Sequence, residues 1–365
     1  MTSFVQTEGA FGSADRRRTA IIIVNWNGWR DCVECLSSIV GGGLLSEADV
    51  WLVDNDSADQ SLEHIARWCS IPYVESGWTA LPGVVHADPG LGCIPCRIWE
   101  ANGSVAPAEP GIRLHLVRSG GNLGFAGGNN CGMTAAGPSR YDHFWLLNSD
   151  TVVDSHALSE LTARLDLDPG VGMVGSTLLY YARPGKVQAQ GGGHLDEALM
   201  QVRHIGDMTE AADLPHDSSA LAQIEARMSY VVGASLLVST DLVRAVGMMC
   251  DDYFLYFEEI DWAFRARDRY RLAYASKSRV YHKVGASSSS VKSEFSLNLL
   301  YRNQVRFAAR FLPQRLGALR RSLSWELVRH VLKGRLMQAK LVARTLADFD
   351  ALVKASVLPR ASADR

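Results

Sequence analysis

The chain has 365 residues, 47% of them hydrophobic and 21% charged, with a formal charge of −2. That is enough to bury one large core, or a core with a smaller appendage, and the near-neutral charge argues against general binding to nucleic acid. Seven cysteines, an odd number with Cys32, Cys35 and Cys131 in apolar patterns, do not read as a disulfide framework, and a reducing cytoplasm fits them best.

Met1 to Arg18 is polar and carries Arg16, Arg17 and Arg18 but no apolar stretch or small-residue cleavage site. It predicts a disordered tail rather than a secretory signal. The continuous β-branched run Ala20–Val24 predicts a buried strand, and Cys32, Leu36, Ile39 and Val40 at helical spacing predict a helix ended by Gly41–Gly43. Val50–Val53 reads as a second strand, followed by turn residues Asp54–Ser57 and a helix reaching Trp68.

Pro- and Gly-rich residues 73–111 read as a long loop or insertion. Within it Cys93-Ile-Pro-Cys96 has the spacing of a metal or redox pair, but with no second pair it reads as incidental. Leu114–Val117 and His143–Leu147 predict further strands, with a helix near Ala126–Ala136 between them. This alternation predicts an α/β fold with a mostly parallel sheet flanked by helices. In such a sheet ligands sit at the carboxyl ends of the strands, where Asn25–Asn27, Asp54–Asp56, Gly120–Gly124 and Asn148–Asp150 each follow an apolar run.

Asn148-Ser149-Asp150 offers hard oxygen ligands suited to Mg²⁺ or Mn²⁺, though the same tripeptide is ordinary turn chemistry. Gly120-Gly121-Asn122-Leu123-Gly124 permits close backbone approach but matches neither a dinucleotide fingerprint nor a P-loop. Residues 185–222 read as a second irregular stretch, a flap over the cleft. Glu258-Glu259-Ile260-Asp261, after the aromatic run Tyr253–Phe257, gathers carboxylates at an expected strand-to-helix junction. Its plain reading is an acidic first helical turn; its functional reading is a general base raised in pKa by apolar neighbours. His282 could ligate a metal, although a lone histidine is more often structural.

From Glu294 the chain reads as helical and basic, its cations from Arg302 to Arg344 interleaved with Leu, Val, Phe and Trp325 and opposed within that span only by Glu326. Such a segment is either a solvated helix pair packed on the preceding domain or a membrane-surface element. No apolar run approaches the roughly 20 residues that span a bilayer.

In order, IIIVNWNG, WLVDNDSAD, GNLGFAGGNN, FWLLNSDTVV, VVGASLLV, YFLYFEEIDWAFRAR, VYHKVGASSS and LLYRNQVRF resemble glycosyltransferase family 2, the GT-A-fold enzymes, and its rhamnosyltransferase-like members in particular. The resemblance runs from about Ala20 to Phe311. It implies a GT-A domain over residues 19–293, with a tail at 1–18 and a basic helical extension at 294–365. Asn25, Trp26 and Asn27 would line a nucleoside pocket, Asp54 would read a uracil or thymine imide, and Asn122 and Gly124 would close the nucleotide site. Asn148-Ser149-Asp150 would stand where the family has its D-x-D-like metal motif, with Asn148 among the donor-binding residues and Asp150 ligating Mg²⁺ or Mn²⁺ together with His282. Glu259 or Asp261 would be the catalytic base of an inverting transfer from a dTDP- or UDP-linked sugar, with rhamnose as one candidate. The implied acceptor is a glycan or a lipid-linked molecule in envelope polysaccharide synthesis, approached from the cytoplasm or the inner membrane face. The Q-x-x-R-W motif of processive synthases is missing, which implies one sugar per acceptor. The competing reading is a catalytically silent nucleotide-binding or assembly protein on the same fold.

Overall fold

The structure is a computed structural model that describes residues 19–73, 78–88, 90–107, 109, 111–215, 217–284 and 293–357. The predicted tail, the Gly285–Ser289 end of the VYHKVGASSS segment and the last eight residues of the extension lie outside the described residues.

The expected alternation is present: β1 (Thr19–Asn25), α1 (Trp29–Gly41), β2 (Ala48–Asp54), α2 (Ser61–Ser70), β3 (Cys96–Glu100), β4 (Leu114–Arg118), α3 (Gly124–Ala136) and β5 (His143–Asn148). A second half follows: β6 (Thr151–Val153), α4 (Ala157–Asp166), β7 (Val171–Tyr180), β8 (Arg183–Gln190), β9 (Gly192–Asp196), β10 (Gln201–His204), α5 (Ser218–Arg227), β11 (Tyr230–Val231), β12 (Ser235–Ser239), α6 (Thr240–Val246), α7 (Glu258–Ala266) and β13 (Arg271–His282). Among the described residues four helices follow β13: α8 (Glu294–Phe311), α9 (Leu316–Leu332), α10 (Leu336–Ala347) and α11 (Phe349–Val357).

The main sheet runs β3-β4-β2-β1-β5-β12-β7-β13-β6, with β8 paired to β7. Neighbours from β3 to β5 are parallel, and β12 is the antiparallel insertion between β5 and β7. Ile21, Ile22 and Ile23 are fully buried because helices cover both faces. Helix α3 lies unusually close to β1: a Cβ at Gly132 would sit 2.6 Å from Ile22 Cγ2. Register then does the functional work. Asn25 pairs with Asp54 on one side of β1, while Val24 pairs with Asn148 on the other, so three polar residues share one carboxyl edge.

Three expectations need correction. Residues 73–111 contain an edge strand, β3, whose half-exposed side chains hide the alternation a buried strand would show. Residues 185–222 are largely ordered, as part of β8, the β9–β10 hairpin and the start of α5; strands this short carry too few alternating positions to stand out from a loop. Glu258 follows no strand: a 3-10 turn at Asp251–Tyr253 leads into a tight turn, since Tyr253 and Phe257 are drawn into the core while the backbone between them reverses.

The extension packs through α8, where Phe307 contacts Phe257 and Phe264 with ring centroids 5.4 and 4.9 Å apart. Its arginines are not opposed by Glu326 alone. Arg302 pairs with Asp348, Arg310 with Asp252 and Asp261, and Arg320 with Asp350. Part of the cationic signal in the sequence is thus internal cross-linking.

Candidate active site

The first wall is built at the end of β1. Asn25 is fully buried, and its amide donates to Asp54 Oδ1 and Ser57 Oγ, both at 3.2 Å. Asn25 Oδ1 has no hydrogen-bond partner among the described residues. A buried acceptor left bare costs about 1–3 kcal/mol unless a ligand supplies the donor. Asn27, in the left-handed region at φ 53°, accepts from the Ala58 N–H at 2.7 Å, and Trp26 stands 55% exposed between them. Asn55, which sequence reasoning left inside a generic turn cluster, links this wall to the glycine loop: its amide donates to Asn122 Oδ1 and the Gly124 carbonyl, and it accepts from the Leu123 N–H.

The second wall joins β5 to β13. His282 Nε2 lies 3.1 Å from Asp150 Oδ1, and Nδ1 lies 3.0 Å from Gln188 Oε1. Since a glutamine oxygen can only accept, Nδ1 carries a proton and Nε2 is the atom turned to Asp150. Burial works to raise the Asp150 pKa, but the adjacent His282 overcomes it and holds the carboxyl below its ordinary value. Asn148 approaches the same imidazole at 3.5 Å. Gln188 falls in the stretch read as irregular, where alternation of Val187 and Ala189 with Gln188 and Gln190 was the available signal. The neighbouring Lys283 is neutralised by Asp31 and Glu34.

The third wall is the start of α7. Burial raises the Glu259 pKa, opposed by backbone N–H groups of Glu259 itself and Gly233. The fit against Gly233 is close enough that a Cβ there would lie 2.9 Å from Glu259 Oε1. The next residue, Ala234, accepts from the Asn148 N–H at 3.1 Å. The Gly233–Ala234 peptide therefore ties Glu259 to the wall carrying Asn148 and Asp150.

Glu258 and Asp261 have other environments. Glu258 is 2% exposed, one oxygen lacks a partner among the described residues, and burial followed by repulsion from Glu259 pushes its pKa far up. Asp261 is 0% exposed and occupied: Arg265 Nε donates to it at 2.6 Å, Arg310 Nη1 at 3.1 Å and the Tyr253 hydroxyl at 3.1 Å. Among the described residues the partners of Asp261 are Tyr253, Arg265 and Arg310 and none of the other candidates; it serves as the anchor of a buried ion-pair cluster.

The segment that aims α7 is strained. Phe254, Tyr256 and Phe257 have φ of 60°, 70° and 77°, which bulky side chains rarely adopt and which costs about 1–3 kcal/mol per residue. Asn303 of α8, fully buried, holds it: one side-chain amide donates to the carbonyls of Tyr253, Leu255 and Tyr256 at 2.8, 2.9 and 3.0 Å. On the opposite side the Phe254 carbonyl accepts from the Phe125 N–H at 2.7 Å, and Gly124, at φ +71°, leaves room for that carbonyl 2.4 Å from where a Cβ would stand. Asn303 lies in the sequence segment LLYRNQVRF, where an amide one turn from the apolar Leu300 and Phe307 was its only signal.

No protein-family model matches the chain. In sequence it is 21% identical over 291 residues to the low-salt glycan biosynthesis hexosyltransferase Agl10 of Haloferax volcanii, covering 78% of this chain and 73% of that protein. In structure it is similar to the mannosyltransferase PcManGT of Pyrobaculum calidifontis, solved with GDP-Man and Mn²⁺, with a TM-score of 0.51 and 15% identity over 93% of this chain and 86% of that one. Residues 1–349 of S. aureus TarS align with a TM-score of 0.46 and 12% identity over 92% and 91%. The structural likeness shows that the chain has the GT-A fold.

Two outcomes follow from the packing alone. Asn303→Ala is expected to lower stability by about 1–3 kcal/mol by baring buried carbonyls, read as a shift in the urea midpoint; an unchanged midpoint would mean the turn holds itself. Glu258→Gln is expected to stabilise the fold increasingly as pH rises. The folded pKa of Glu258 lies above its ordinary value of 4.5, so the folded state keeps a proton the unfolded chain gives up, and the wild type loses more stability with rising pH than the variant does. Parallel melting-temperature profiles of the two proteins between pH 5 and 9 would contradict this.

Proposed function

We propose that the chain is an inverting, metal-dependent glycosyltransferase that moves one sugar from a dTDP- or UDP-linked donor to a glycan or lipid-linked acceptor, with rhamnose as a donor sugar to test. The observation that carries this reading is the Gly233–Ala234 bridge, which holds a raised-pKa carboxylate, Glu259, beside the wall carrying Asn148, Asp150 and His282. The unpartnered Asn25 Oδ1, flanked by exposed Trp26 and by Asp54, supports a nucleoside pocket at the adjoining edge.

In the proposed reaction the acceptor hydroxyl attacks the anomeric carbon as its proton passes to a Glu259 carboxylate oxygen. The bond from that carbon to the diphosphate oxygen breaks with its electron pair on the oxygen, inverting the configuration in one displacement. Asp150 and His282 are suited to hold Mg²⁺ or Mn²⁺: one hard carboxylate oxygen and one imidazole nitrogen, the ring fixed by Gln188, leave the remaining positions for water and phosphate oxygens. When bound, such an ion supplies positive charge against the departing diphosphate. The Mn²⁺ present with the mannosyltransferase neighbour is in keeping with that assignment.

A thermal-shift panel of nucleotide-sugars with and without Mn²⁺ tests the donor assignment, because a ligand selective for the folded state raises the midpoint by mass action. Asp150→Ala is expected to abolish the Mn²⁺-dependent part of donor stabilisation; equal midpoints in variant and wild type would sink the assignment. Glu259→Gln is expected to keep donor binding and lose roughly 10²–10⁴-fold in transfer rate. The wild-type rate should fall as pH drops through the raised Glu259 pKa, placing the acid limb above the ordinary glutamate value of 4.5. Asp261→Asn is expected instead to cost about 3–5 kcal/mol in stability by leaving Arg265 and Arg310 uncompensated. Normal transfer by Glu259→Gln with a stable but inactive Asp261→Asn would move the base to Asp261.

A further inference from the structure

With the arginines of α8 committed to internal partners, the remaining cationic and apolar excess collects at one place, the hairpin where α9 passes into α10 through Lys333-Gly334-Arg335. Leu332 and Leu336 flank this three-residue connection and are 81% and 72% exposed. One turn spacing after another, Trp325 at 75% exposure and Val328 at 46% continue the stripe back along α9. Large apolar side chains this exposed on consecutive turns are costly in water unless something covers them.

Arg321 precedes Trp325 by four residues, and Lys333 and Arg335 sit in the connection itself; these three are exposed and form no ion pair among the described residues. Between Glu326 and Asp348 the chain carries no acidic residue. Glu326 is itself engaged, accepting from the Tyr301 hydroxyl at 3.0 Å and lying 3.3 Å from His330 Nε2.

We propose that the α9–α10 hairpin tip is a membrane-surface anchor that inserts Trp325, Leu332 and Leu336 into the headgroup boundary of a bilayer bearing anionic phospholipid. The charge pattern selects this occupant over a second copy of the chain. A two-fold interface made from this patch would set Arg321, Lys333 and Arg335 against the same cations of its partner, whereas anionic headgroups neutralise them. The arrangement also matches interfacial binding in detail, since an indole and leucines enter the boundary while long cationic side chains reach back to phosphates. Among the described residues no helix is long and apolar enough to cross a membrane, so attachment would be to one face. The inference deepens the lipid-linked acceptor reading, yet vesicle binding is measured without donor or acceptor, so each can fail alone.

The test is co-sedimentation of the full chain with phosphatidylcholine vesicles containing 30% phosphatidylglycerol or none. The wild type is expected to bind the anionic vesicles at low salt, at least tenfold more weakly the neutral ones, and severalfold more weakly in 0.5 M NaCl as screening shortens the reach of the cations. Trp325→Ser with Leu332→Ser, and separately Lys333→Glu with Arg335→Glu, should each lose binding by tenfold or more while their melting temperatures stay at the wild-type value, since all four positions are exposed. Absence of wild-type binding at low salt, or undiminished binding by both variants, overturns the proposal. So does a concentration-dependent dimer in sedimentation velocity that the Trp325→Ser and Leu332→Ser pair abolishes, because the patch would then be covered by a second copy.

Discussion

One buried amide governs how the site is assembled. Asn303 Nδ2 carries two hydrogens and serves three carbonyls of the turn before α7, and that turn contains three bulky residues at positive φ. A turn of this kind, left to local preferences, would relax toward extended or right-handed backbone, and the first residues of α7 would rotate with it. Glu259 is the second of those residues. Its placement against the Gly233 backbone therefore depends on a side chain over forty positions later, and α8 belongs to the site although it contributes nothing to the sheet.

The same turn is held from the other side by the glycine loop. The Phe254 carbonyl occupies space that only a glycine at 124 leaves open, and Asn55 and Asn122 fix the loop carrying that glycine. An asparagine network thus runs from Asn25 at the end of β1, through the backbone of Asn55, to the turn before α7. Neutral amides suit this task better than carboxylates: each both donates and accepts, so neighbouring backbone groups of either kind are satisfied without placing like charges at an edge that already holds Asp54 and Asp150.

Much of this edge could be read in the sequence because buried parallel strands announce themselves. The run Ala20–Val24 and the polar residues after it located Asn25 to Asn27, and Phe144–Leu147 located Asn148 and Asp150. Illegible parts share a physical cause. Gln188 lies on β8, whose first half, Arg183–Lys186, is polar and holds a proline and a glycine, so that only the short alternation from Val187 to Gln190 marks a strand paired with β7. Asn303 looks like an interruption of an amphipathic helix until the carbonyls it serves are known. The choice between Glu259 and Asp261 was likewise closed to sequence, since two carboxylates in one helical turn differ only in what the fold brings to each.

Those two environments draw the acidic cluster apart. Asp261 meets two guanidinium groups and a phenol, which compensate its charge in full and leave it a cross-link between α7 and α8. Glu259 meets backbone N–H groups and apolar surroundings, a weaker compensation that keeps its proton affinity high. Glu258, beside it and almost wholly buried, is driven toward the neutral form, so the pair need not hold two charges at once. For the proposed role of base, a carboxylate that accepts a proton and later releases it is better served by incomplete compensation than by a strong ion pair. The arginines of α8 thereby act at a distance: by saturating Asp261 and Asp252 they take the cations out of reach of Glu259, and its affinity for a proton survives the basic helix packed behind it.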